Sequence, residues 1–73
     1  MGRVYYTIGH KEVIINYPND KSGHYLIEWN NIIIGHLFVD GVHESGSLIW
    51  KGTTTEVNLF ADELGKFVEH TGI

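Results

Sequence analysis

Between His24 and Val39 the chain reads HYLIEWNNIIIGHLFV, two apolar-rich runs on either side of Asn30-Asn31. Asparagine tolerates the positive φ that a two-residue hairpin loop demands, so the pair marks a tight turn between two strands. Counting outward from that turn sets Trp29 opposite Ile32, Ile27 opposite Ile34 and Tyr25 opposite His36. Side chains alternate along a strand, so these six share one face, with Phe38 beyond them. That face is almost wholly apolar and is expected to be core. The other face carries His24, Leu26, Glu28, Ile33, Gly35, Leu37 and Val39, a mixture too apolar for plain solvent.

The same patterning organises the rest of the chain. Arg3 to Ile8 is rich in β-branched and aromatic residues and reads as a strand. Gly9-His10 suits a type II′ turn, and Lys11 to Tyr17 is then the return strand. Counting from this turn pairs Ile8 with Lys11, Tyr6 with Val13 and Val4 with Ile15. Val4, Tyr6, Ile8, Val13, Ile15 and Tyr17 make the apolar face; Tyr5 and Ile14 stand out on the mostly polar one. Pro18 to Gly23 concentrates turn formers and reads as a loop, as does Asp40 to Gly46. Ser47 to Gly52 is a short fifth strand with Leu48 and Trp50 inward. Beyond it, Val57, Phe60, Ala61, Leu64, Phe67 and Val68 recur at helical spacing, one apolar stripe opposite Asp62, Glu63, Lys66 and Glu69. Thr53 with Glu56 matches a capping box, Thr55 and Asn58 are the alternative caps, and Gly72 suits the C-terminal cap. Gly65 weakens this helix by about 1 kcal/mol relative to alanine, which a close crossing over a strand would explain.

Five strands separated by turn signals and followed by one helix predict an α+β fold. It is a five-stranded antiparallel β-meander with one C-terminal α-helix packed on one face, a single domain over 1–73. The alternative is the same sheet curled into a partly open barrel. One helix covers one face. The core face is assigned Val4, Tyr6, Ile8, Val13, Ile15, Tyr25, Ile27, Trp29, Ile32, Ile34, Phe38 and Trp50. Tyr5, Ile14, Leu26, Ile33, Leu37, Val39 and Ile49 are left outside, where an open antiparallel sheet should carry polar residues.

Size sharpens that imbalance. A chain of 73 residues without cysteine has no disulfide or thiolate metal site to stabilise it. Association is one of the usual remaining means. Net charge is −4, and the five cations (Arg3, Lys11, Lys21, Lys51, Lys66) are scattered, which argues against phosphate-backbone binding and against an anionic membrane surface. No signal peptide or membrane-spanning run is visible, and the expectation is a cytoplasmic protein.

Candidate chemistry adds little. The five histidines, His10, His24, His36, His43 and His70, form no H-x-x-x-H or H-E-x-x-H spacing. Asp40-Gly41-Val42-His43-Glu44 offers three ligand types in a loop but matches no calcium or zinc pattern. No nucleophile elbow, P-loop or dinucleotide fingerprint is present. His24 and Glu28 share one strand face, which reads as a surface ion pair before it reads as an oriented base. Tyr5, Tyr6, Tyr25, Trp29 and Trp50 are aromatics of the kind that stack on bases, but most fall on the helix-covered face. The expectation is therefore a non-enzymatic protein–protein interaction module with no catalytic residue, metal or cofactor. It self-associates, as a dimer first, or meets another protein through Tyr5, Ile14, Leu26, Ile33, Leu37, Val39 and Ile49. The alternatives are single-stranded nucleic-acid binding by the sheet aromatics and a His/carboxylate metal module.

Overall fold

The computed structural model describes residues 2–18 and 23–71. The turn formers at 19–22 and the expected cap Gly72 lie outside the described residues. Five strands form one open antiparallel sheet in the order β1-β2-β3-β4-β5: β1 Arg3–Ile8, β2 Lys11–Asn16, β3 Tyr25–Trp29, β4 Ile32–Val42 and β5 Leu48–Gly52. Two short helices follow, α1 Thr55–Leu59 and α2 Ala61–His70. They cover one face of the sheet, so the fold is the expected meander with a helical layer, and the sheet does not close.

The first hairpin follows the turn chemistry. Gly9 has φ +61, as the first central position of a II′ turn requires, and Ile8–Lys11, Tyr6–Val13 and Val4–Ile15 are partners as counted. At the second hairpin Asn30 and Asn31 have φ 51 and 68, the signature of a type I′ turn. Trp29 faces Ile32 there, but two residues later the counting fails. Glu28 faces Ile33 and Ile27 faces Gly35, so Ile34 is an extra residue. A one-residue insertion moves every later side chain to the opposite face. Tyr25 therefore faces Leu37, and Leu26 faces His36. A second extra residue, Asp40, separates the Val39–Trp50 pair from Gly41–Ile49, and β4 continues to Val42 where a loop was expected.

These two bulges correct several assignments. Leu37 lies in the core at 0% exposure instead of on the outer face, and Val39 is on the helix face beside Trp50. His36 and Phe38 move the other way, to the helix-free face opposite Leu26 and Lys51. Ile32 flanks the turn at the hairpin tip and is 67% exposed, not buried. Ile34 packs against the core even though Ile27 is not its partner.

The core consists of Val13, Ile15, Ile27, Leu37 and Trp50 from the sheet, against Val57, Ala61, Leu64 and Val68 from the helices. Phe60 and Phe67 pack on its margin, so the whole predicted stripe turns inward. Two helices replace the one expected, with the break at Phe60 (φ −109, ψ 11). The N-cap is Thr54, not Thr53, Thr55 or Asn58: its hydroxyl accepts from Val57 N at 3.3 Å and donates to the Ile34 carbonyl at 2.7 Å. The bulge carbonyl and the helix start are thereby tied together. Three glycines let the helices lie directly on the strands. A Cβ on Gly52 would sit 2.4 Å from Asn58 N, and one on Gly65 would sit 2.1 Å from Trp50 Cγ. Gly35, at φ +146, would meet Thr54 Oγ1 at 2.7 Å. Between its two glycine contacts β5 holds both helices, α1 at Gly52 and α2 over Trp50.

Candidate functional site

The helix-free face is built row by row from the register. One row runs Tyr5, Ile14, Glu28, Ile33 across the first four strands. The next runs Arg3, Asn16, Leu26, His36. Beyond these lie Phe38 opposite Lys51, and Ile49 opposite Gly41. Tyr5 and Ile33, at the two ends of the first row, are 59% and 61% exposed. Ile14 between them is only 6% exposed, because its strand neighbours close over it. Leu26, Phe38 and Ile49 are half-buried.

Of the seven residues expected on this surface, five belong to it: Tyr5, Ile14, Leu26, Ile33 and Ile49. Leu37 and Val39 are the two that the bulge at Ile34 turns to the helix side. His36 and Phe38 replace them, and sequence reasoning missed both. The available signal was Gly35, since a glycine inside an apolar strand often marks a bulge.

Two polar side chains of the face are engaged with each other. The Asn16 side-chain amide donates to Glu28 Oε2 at 2.8 Å and to the Leu26 carbonyl at 3.1 Å. Glu28 is thereby tied across the sheet, and the His24 ring instead stacks on Phe38, centroids 5.0 Å apart, with His36 at 5.8 Å. The result is a face on which aromatic and aliphatic side chains stand among polar ones, with the Glu28 carboxylate held by Asn16.

The remaining candidates are dispersed or occupied. Among the described residues no three His, Asp or Glu side chains come together as a metal site. Tyr6, Tyr25, Trp29 and Trp50 all contact other aromatic rings on the helix side: Tyr6 on Phe67, Trp29 on Phe60, and Tyr25 on both Tyr17 and Trp50. Of the five aromatics weighed for base stacking, Tyr5 is the one on the open face. Trp50 Nε1 donates to Glu69 at 2.7 Å, fixing α2 over the ring. The Tyr6 hydroxyl donates to Glu63 at 2.8 Å, and this bond, with some desolvation and the carboxylate charge, holds the phenol above its ordinary 10.0. An open depression of about 210 Å³ is lined by Lys66, Glu69 and His70 on the outer side of α2. Glu69 is already committed to Trp50, and the depression is too open to enclose a substrate. No helix among the described residues is long and apolar enough to cross a membrane.

Comparisons with protein-family models, with curated proteins and with solved structures gave no match.

Proposed function

We propose that this chain is a non-catalytic protein–protein interaction module that associates with a second copy of itself through the helix-free face of its sheet. The observation that carries the reading is the set of exposed and half-buried apolar side chains on this face, Tyr5, Leu26, Ile33, Phe38 and Ile49, standing around the covered Ile14. An antiparallel sheet facing water presents mostly polar residues, and this one presents aliphatic or aromatic side chains on four of its five strands, with Ile14 covered on β2. The chain has no cysteine and so no disulfide, and its fold gains stability from any partner that binds only the folded state.

Light scattering across a dilution series tests this directly. The wild-type mass should exceed that of one chain, and Ile33→Lys should lower it while leaving the circular dichroism unchanged. Ile33 is a fitting probe because it is exposed and outside the core, so a charge there burdens the contact and not the fold. A mass indifferent to Ile33→Lys removes the face from the mechanism.

A further inference from the structure

We infer that a second, separate contact forms at the free edge of β1, where two copies join antiparallel with Tyr5 opposite Tyr5 of the other copy. The free backbone groups can be identified from the ladder. Ile8 and Lys11 flank a two-residue turn and so exchange both backbone hydrogen bonds. Tyr17 N donates to the Gly2 carbonyl at 2.9 Å, and Asn30 N donates to the Glu12 carbonyl at 3.0 Å. Odd-numbered residues of β2 therefore bond to β1, and even-numbered ones to β3. On β1 this leaves the N–H and C=O groups of Arg3, Tyr5 and Thr7 directed away from the sheet, with no hydrogen bond to them among the described residues.

The two edges of the sheet differ. On β5 the Gly52 N–H donates to Asn58 Oδ1 at 3.1 Å, the adjoining strand is bulged at Asp40, and both helices pack over the strand. Natural sheets blunt their edges with such devices. α2 reaches β1 through Tyr6, which meets Phe67 and Glu63, but the backbone edge of β1 is left open: it runs six residues in unbroken register, without proline or bulge.

Register and charge both permit a copy of the same strand there. Centring the twofold on Tyr5 sets Arg3 opposite Thr7 of the other copy, twice, with no like charges facing. Residues 1–17 hold Arg3 and Lys11 against Glu12, while eight of the nine acids lie later in the chain. Two molecules of net charge −4 thus meet at their least acidic hairpin. The pairing extends one sheet into the next and adds about six backbone hydrogen bonds. It uses backbone groups that the face contact leaves free, so the two contacts combine into an assembly larger than a dimer.

Thr7→Arg places arginine opposite Arg3 of the other copy and should weaken this contact about tenfold, through two symmetric repulsive pairs. Within its own chain the new arginine faces Glu12, so the fold is kept. Adding Arg3→Glu to Thr7→Arg should restore the wild-type mass, because each repulsive pair becomes an attractive one. Thr7→Pro, which removes an outward N–H and leaves the internal ladder intact, should lower the mass as well. A monomeric wild type, a mass unchanged by both Thr7→Arg and Thr7→Pro, or a failure of Arg3→Glu to rescue overturns the edge contact. The face is scored separately: Ile33→Lys leaves an edge dimer if both contacts exist, and Ile33→Lys with Thr7→Arg gives a monomer. A wild-type dimer dispersed by Thr7→Arg and untouched by Ile33→Lys keeps the edge and removes the face.

Discussion

Gly65→Ala separates what helix propensity expects from what the packing dictates, because the two give opposite signs. In an isolated helix the change stabilises by about 1 kcal/mol. Here the new Cβ would lie 2.1 Å from Trp50 Cγ, 2.2 Å from Cδ1 and 2.4 Å from Cδ2, where ordinary contact begins at 3.4 Å. The ring cannot swing aside freely, since its Nε1 is bonded to Glu69 on the same helix and its edge is packed by Tyr25. α2 must back away by more than an ångström, and that loosens Ala61, Leu64 and Val68, which it buries. Overpacking of this kind costs ~1–3 kcal/mol, and three loosened contacts place it near the top of that range. Subtracting the propensity gain leaves a net loss of about 2 kcal/mol, against a total stability of roughly 4–11 kcal/mol for a domain of this length. Urea unfolding of the two proteins under matched conditions measures the difference, and thermal unfolding should show a fall of roughly 10 °C. Trp50→Leu removes the ring, so adding Gly65→Ala to that background should cost much less than in the wild type. Stabilisation by Gly65→Ala in the wild-type background would refute the packing of α2 on β5.

The bulge at Ile34 predicts that Leu37→Ala costs ~2–5 kcal/mol while Ile33→Ala stays within about 0.5 kcal/mol in the unfolding of the monomeric form, where equal placement on one outer face would give two similar small losses. Thr54→Ala should destabilise by about 1–2 kcal/mol, because it removes both the cap on Val57 N and the donor to the Ile34 carbonyl; Thr54→Ser, which keeps both bonds, should recover most of it in the same denaturation assay. Burial, and secondarily the charge of Tyr17, raises the Tyr25 phenol above 10.0. The folded state then holds its proton after the unfolded chain has lost it, so stability is level below pH 10 and falls as pH rises above it, a loss that Tyr25→Phe should reduce in unfolding curves across that range.

The alternation of Arg3 to Tyr17, the turn residues Gly9-His10 and Asn30-Asn31, and the stripe from Val57 to Val68 determined the meander, the first hairpin's register, both turns and the buried side of the helices. Each is a local matter, settled by φ preference and side-chain period within a dozen residues. Gly65 even signalled the close crossing of helix over strand. The tertiary structure decided what depends on distant partners. An extra residue at Ile34 lets the chain bring Gly35 under Thr54 and Val57, and its energetic reason lies twenty residues away, in the hydroxyl that caps α1 and bonds the Ile34 carbonyl. Period-two counting has no term for such an insertion, so it puts Leu37 and Val39 outside and His36 and Phe38 inside, the opposite of the structure. The cap fell to Thr54 for the same reason: three consecutive threonines are equivalent until a strand carbonyl selects one. The helix-free face was legible in outline because Tyr5, Ile14, Leu26, Ile33 and Ile49 sit where their registers hold, and its final membership was set by the bulge.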